Sequence, residues 1–238
     1  MVHGLAEDGA SWAPVTEHFP EGLAAYAPDL RGHGNSTAGQ GQGTVAQLAS
    51  DLIAFLEQVS GPTVCVGFSL GGVIVLEAAL ARPDLVRAAI IVGTSSKVGR
   101  AAAAFFAERI NQLQTDMGAF RQALASDTQA QIIAQPEMAP AVTQRRIAAV
   151  GDGAGYANAA RAMIAMAQAP LTDRLREIAV PVHIIQGAGD MFCPRKAADI
   201  LRDAMPQAGY AEIPDAGHLM SVDQPKRLAR EIIAALQS

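Results

Sequence analysis

The sequence predicts an α/β fold, a mostly parallel sheet with helices on both faces. Three observations carry that prediction. Short apolar, β-branched runs alternate with helical patterns through most of the chain. One of these runs, Pro62 to Val66, passes into an Ala-rich helical pattern through the turn Gly67-Phe68-Ser69-Leu70-Gly71. From Ser95 to Ala169, by contrast, only helical periodicity is present. A crossover between parallel strands needs a dozen or more residues, so this 75-residue stretch reads as an insertion. Residues 1–94 and 171–238 then form the α/β core, and residues 95–170 form a helical insertion.

The elements follow in order. His3-Gly4-Leu5 opens an early glycine loop. Gly22 to Pro28 is a short apolar run and a strand candidate, followed by the Gly-rich loop Asp29 to Ser36. Thr44 caps a helix reaching about Val59, with Val45, Leu48, Leu52, Phe55 and Leu56 on one face. Gly61-Pro62 ends it, and the strand at Pro62 to Val66 follows. Val73 to Ala81 reads as a helix closed by Arg82-Pro83, and Ala88 to Val92 as the next strand. The insertion holds candidate helices at Ala101 to Leu113, Met117 to Ala125, Pro140 to Val150 and Gly155 to Ala167. Val180 to Gln186 is a strand, Arg195 to Ala204 a helix, Tyr210 to Ile213 a strand and Ser221 to Leu236 the terminal helix.

Composition narrows the function classes. The chain is 50% hydrophobic and 17% charged, enough apolar matter for a sizeable core. A net charge of −5 without a Lys/Arg run argues against nucleic-acid binding. No stretch of 18 uncharged apolar residues suggests a membrane span. Cys65 and Cys193 form no metal-like cluster, and the opening Met1-Val2-His3-Gly4 lacks the pattern of a secretory signal. A cytoplasmic protein without metal or cofactor is the expectation, with homo-oligomerisation left open.

The glycine-flanked serine holds the chemistry. A serine in a sharp strand-to-helix turn has its hydroxyl pushed clear of the sheet, and the following helix aims its amides and positive dipole end at whatever the serine attacks. The hydroxyl needs a base, and the base needs a carboxylate to fix its tautomer. Ser69, Asp190 and His218 each lie just after a predicted strand, so a parallel sheet brings all three to one edge. His183 reads as a packed strand residue, and Asp215 as a turn residue too close in sequence to His218 to be its partner. Two backbone donors are needed for the oxyanion. The amide after the nucleophile, Leu70, is one, and Leu5 in the early glycine loop is the candidate for the other. His3 and Gly4 read as supports of that loop.

His3-Gly4, Asp29-x-Arg31-Gly32-His33-Gly34-x-Ser36, Gly67-Phe68-Ser69-Leu70-Gly71-Gly72, Gly187-x-x-Asp190-x-x-x-Pro194 and Gly217-His218 followed by Asp223-x-Pro225 span nearly the whole chain. In this pattern the chain resembles the α/β-hydrolase superfamily, and within it the small bacterial esterases, lactonases and cofactor-free haloperoxidase-like members. The resemblance implies Ser69 as nucleophile, Asp190 as acid, His218 as base, Leu5 and Leu70 as oxyanion donors and residues near 95–170 as a lid. It implies a serine hydrolase acting on a small or medium carboxylic ester or lactone through an acyl-enzyme. Perhydrolysis, cleavage of an activated carbon–carbon bond, and a receptor-like protein with little turnover are the alternatives.

Specificity is expected to reside in the lid, where Phe105, Phe106, Met117, Phe120, Met138, Met163 and Met166 give an apolar inner face, most of them as packing residues and a few as the lining of an acyl pocket. No arginine cluster marks a phosphate-bearing carrier substrate. The chain departs from the family pattern at its start, where only Met1 and Val2 precede His3. In the family an interior strand lies there, so the N-terminal strands read as truncated and the native product is expected to begin upstream.

Overall fold

A computed structural model describes residues 1–237. Helix α1 (Ala13–Thr16) precedes α2 (Val45–Phe55). The Thr44 hydroxyl accepts from the Gln47 N–H at 3.2 Å and so caps α2. A π turn over Leu56–Ser60 extends α2 until Gly61 ends it. Then come β1 (Thr63–Phe68), α3 (Leu70–Ala81) and β2 (Val86–Val92). The segment between β2 and β3 holds α4 (Arg100–Thr115), α5 (Met117–Gln131), α6 (Ala139–Val150) and α7 (Ala154–Ala165). The chain closes with β3 (Val182–Gly187), α8 (Arg195–Ala204), β4 (Gly209–Ile213), α9 (Met220–Asp223) and α10 (Pro225–Leu236).

The four strands are parallel, in the order β1-β2-β3-β4. Side chains of a strand alternate between faces, and the two cores divide accordingly. Cys65, Ala89, Ile91, Val182 and Ile184 pack with α2, α3 and α8. Val66, Ile90, Val92, Ile185 and Ile213 pack with Trp12, Val15 and the apolar face of α10. Because both faces are covered, each strand reads as a nearly continuous apolar run. A third apolar cluster joins Phe120, Leu124, Val150, Tyr156 and Ala160 of the insertion to Ala6.

Two expectations need correction. Gly22 to Pro28 forms no strand ladder. The segment runs beside Met1, whose amino group donates to the Tyr26 carbonyl at 2.6 Å. On that side β1 finds one isolated bridge, with Val2 N–H donating to Val66 and Phe68 N–H to Val2. A ladder needs repeated partners, and Pro28 offers no N–H to one. The terminal helix is also broken, at Gln224 (φ −141°, ψ 54°). The ring of Pro225 drives the residue before it out of helical geometry, and Pro225 then starts α10.

Candidate active site

Ser69 sits between β1 and α3 with φ 52° and ψ −115°, a region that costs a non-glycine residue about 1–3 kcal/mol. The surroundings hold it there. Its N–H donates to the Val92 carbonyl at 2.9 Å, and its carbonyl accepts from Gly72 N–H at 3.1 Å. The glycines either side are dictated by close approach. A Cβ on Gly67 would lie 2.3 Å from the Gly71 carbonyl oxygen, and one on Gly71 would lie 2.2 Å from that of Val2. Leu70 is the first residue of α3, so its N–H has no intrahelical partner and stands next to the serine.

The loops after β3 and β4 bring two more groups to the same edge. His218 Nε2 lies 3.1 Å from Ser69 Oγ, and His218 Nδ1 lies 2.8 Å from Asp190 Oδ2. The imidazole and the carboxylate are both buried. Since the carboxylate accepts, Nδ1 bears the proton and Nε2 is free to accept from the serine. The other Asp190 oxygen accepts from the N–H groups of Phe192 and Cys193, each at 2.8 Å, which fixes the carboxylate plane. The His218 ring stacks on Phe192 and packs against Phe68, with centroids 5.6 Å and 4.8 Å away. Asp215 stays apart as a turn residue with φ 52°.

The loop Gly4-Leu5-Ala6-Glu7 forms the neighbouring wall. His3 is fully buried, and burial pushes its pKa down to about 3. Held neutral, it donates from Nδ1 to the Gly4 carbonyl at 2.8 Å and accepts at Nε2 from Leu30 N–H at 2.9 Å. The Glu7 carboxylate accepts from Gly4 N–H at 3.2 Å, and burial raises the pKa of that carboxyl. Leu5 and Leu70 both face the cavity beside Ser69.

That cavity measures about 650 Å³ and lies between the sheet edge and the insertion. Phe105, Phe106 and Met163 line it, as expected for the inner face of the insertion. Phe120 and Met166 are buried in packing, and Met117 packs in the cluster that holds Phe120, the role expected of most of this set. Met138 alone departs from the expectation, since it neither lines the cavity nor packs in a core cluster. It caps the start of α6 with 38% of its surface exposed, so it is not part of the inner face.

Two groups given no role from the sequence hold the insertion in place. Asp223 accepts from the N–H groups of Ala134 at 2.8 Å, Ile133 at 3.1 Å, Gln135 at 3.3 Å and Gly217 at 2.7 Å. Leu219 N–H donates to the Gln131 carbonyl at 3.1 Å. Residues 131–135 are thereby fastened to the loop that carries His218. Arg146 of α6 is buried, and its guanidinium donates to Thr128 Oγ1 at 2.8 Å, Gln131 Oε1 at 2.7 Å and the Leu5 carbonyl at 3.3 Å. A signal for it exists in the sequence. Val142, Arg146, Ala149 and Val150 share one helical stripe, and the other three are apolar.

Among the described residues no His/Cys/Asp/Glu group is arranged to hold a metal ion, and no helix is long and apolar enough to cross a membrane. The chain is similar to known proteins over nearly its whole length. The chain is 27% identical over 250 residues to a pimeloyl-[acyl-carrier protein] methyl ester esterase of Aromatoleum aromaticum, covering 96% of this chain and 94% of that one. It is 26% identical to 3-oxoadipate enol-lactonase 2 of Acinetobacter baylyi, covering 99% and 86%. The solved enol-lactonase of Burkholderia xenovorans superposes with a TM-score of 0.85 at 23% identity, over 100% of this chain and 90% of that one, a likeness of fold. The model of the alpha/beta hydrolase family matches residues 1–231, and the chain belongs to that family.

Proposed function

We propose that the protein is a serine hydrolase of a small or medium carboxylic ester or lactone. The observation that carries the reading is the hydrogen-bonded chain Ser69–His218–Asp190 at the end of a 650 Å³, mainly apolar cavity. Ser69 Oγ attacks the carbonyl carbon while His218 Nε2 takes its proton. The oxyanion forms against the Leu70 and Leu5 amides. Collapse expels the alcohol, which leaves with the proton held by His218, and Ser69 is acylated. Water then attacks the acyl carbon, again giving its proton to His218, and the acid departs as Ser69 recovers its hydrogen.

Residues 95–170 act as the lid over this site, and residues 1–94 and 171–238 as its core. The names of the relatives, an esterase and an enol-lactonase, support the choice of ester or lactone. Two free cysteines, Cys65 and Cys193, fit a cytoplasmic location. Ser69→Ala lowers kcat by roughly 10⁴–10⁶-fold on this reading, and an organophosphonate labels Ser69 alone. Label on another serine, or near-normal turnover by the variant, refutes it.

A further inference from the structure

The cavity carries more positive charge than an ordinary ester requires. Arg146 is buried in its wall, and all three of its hydrogen-bond acceptors are uncharged: a hydroxyl, a side-chain amide and a backbone carbonyl. A guanidinium has five N–H donors, and Arg146 Nε is among those without a partner. Neighbouring carboxylates do not supply the missing anion. Asp127 lines the same cavity, but both its oxygens are taken by Arg109 at 2.8 Å. Glu7 is near enough for its charge to be felt by Arg146, but the two form no ion pair within 4 Å, and burial drives the Glu7 carboxyl towards the neutral form. Buried charges in proteins are ordinarily paired.

The rim repeats the pattern. The chain has only three lysines, Lys97, Lys196 and Lys226. The first two line the cavity, both are exposed, and neither forms an ion pair among the described residues. On a chain of net charge −5 this concentrates positive potential where a substrate comes in.

We infer that the substrate carries a free carboxylate. It is a short dicarboxylic monoester, or a lactone with a carboxylate arm, drawn in past Lys97 and Lys196 and bound by Arg146. The inference rests on the ester-hydrolase reading. A carboxylate suits a guanidinium, and Arg146 Nη2, whose one partner is the Leu5 carbonyl at 3.3 Å, is the nitrogen with an N–H left to give it, since Nη1 holds Thr128 and Gln131 and Nε is closed off inside the wall. The arm must be short, because Arg146 touches the carbonyl of Leu5, a residue that also lines the cavity beside Ser69.

The test compares the monomethyl esters of succinic, glutaric and adipic acid with methyl alkanoates of equal carbon number, followed by pH-stat. The anionic series is expected to have kcat/KM higher by at least about 10-fold, the worth of one charge-assisted contact. Raising the salt from about 0.02 M to about 0.5 M narrows the gap. Arg146→Met removes most of the preference, and Arg146→Lys keeps part of it. The double variant Lys97→Gln/Lys196→Gln, at exposed rim positions, lowers kcat/KM several-fold more for the anionic series than for the neutral one, a difference that tests the inference if Arg146→Met fails to fold. Equal or better turnover of the neutral series by the wild type overturns the inference. So does an Arg146→Met loss that is the same for both series, which would make Arg146 a support of the Leu5 loop. Phosphonate labelling of Ser69 separates the two readings. Labelled enzyme that ignores the anionic esters refutes the carboxylate alone, and enzyme neither labelled nor active refutes the hydrolase reading as well.

Discussion

Asp223→Ala tests how far the site depends on one carboxylate outside it. The substitution strips the acceptor from four N–H groups, of which those of Gly217 at 2.7 Å and Ala134 at 2.8 Å are the best placed. Hydrogen bonds to a charged group contribute about 1.5–3 kcal/mol each, so losing these two alone costs about 3–6 kcal/mol. At about 2–4 °C per kcal/mol for a chain of this size, Tm falls by about 6–24 °C. Asp223→Asn keeps one oxygen but turns an NH₂ group towards the remaining donors, and about half the loss is expected. Urea unfolding followed by circular dichroism gives the stability, and amide hydrogen exchange locates it. Protection should vanish first at Gly217 and residues 133–135, with kcat falling because the His218 loop loses its anchor. An alanine variant within about 0.5 kcal/mol of wild type, the size of a neutral surface change, with those amides still protected, would refute the reasoning.

Two further outcomes follow from the fold. Gly71→Ala puts a Cβ 2.2 Å from the Val2 carbonyl oxygen and 2.7 Å from that of His3, so it should cost about 1–3 kcal/mol or more and impair turnover. Gly99→Ala, where a Cβ meets nothing within 4 Å, should leave Tm within a degree or so of wild type, and equal effects of the two would count against the packing argument. His3 titrates near 6.5 when unfolded and near 3 in the fold, so the unfolded state binds more protons in between. Stability present above pH 6.5 is therefore lost as pH falls towards 3, by up to about 1.4 kcal/mol per unit. His33, also lowered by burial, acts in the same sense, while Glu7, raised by burial, acts oppositely above its unfolded value of 4.5. His3→Gln should flatten the dependence between about pH 7 and pH 5 in urea titrations, and an unchanged slope would show that His3 is not the group responsible.

Local pattern and tertiary context divide what the sequence discloses. β1 to β4 and α8 are legible because apolar β-branched runs and a strongly amphipathic helix owe their form to burial that the pattern itself encodes. The juxtaposition of Ser69, Asp190 and His218 is legible for a related reason: a parallel sheet puts every strand end on one edge. The segment at 22–28 is misread because a strand exists only where a partner pairs with it. Helix α5 continues to Gln131, past the expected end at Ala125, because its polar tail is buried in bonds to distant groups. Thr128 and Gln131 both meet Arg146. The apolar stripe of Val142, Ala149 and Val150 marks Arg146 rather than Arg145 as the arginine that faces inward, but its partners Thr128, Gln131 and Leu5 lie outside that local pattern. The role of Asp223 is hidden more deeply, since its partners in the insertion lie about 90 residues away in the chain.

Helix α4 contributes Phe105 and Phe106 to the cavity, yet none of its residues is fully buried. A replacement there spares the fully buried residues, although Phe106 also packs against two apolar clusters, whereas one at Met163 or Leu124 disturbs a core residue itself. Mutational drift therefore falls unevenly on the cavity wall. The side formed by α4 can be recast for a new acyl group with less loss of stability than the side formed by α5 and α7, whose Leu124 and Met163 are core residues. A lineage exploring new substrates would accumulate its accepted substitutions along one helix, and the reaction centre would pass through that history unaltered.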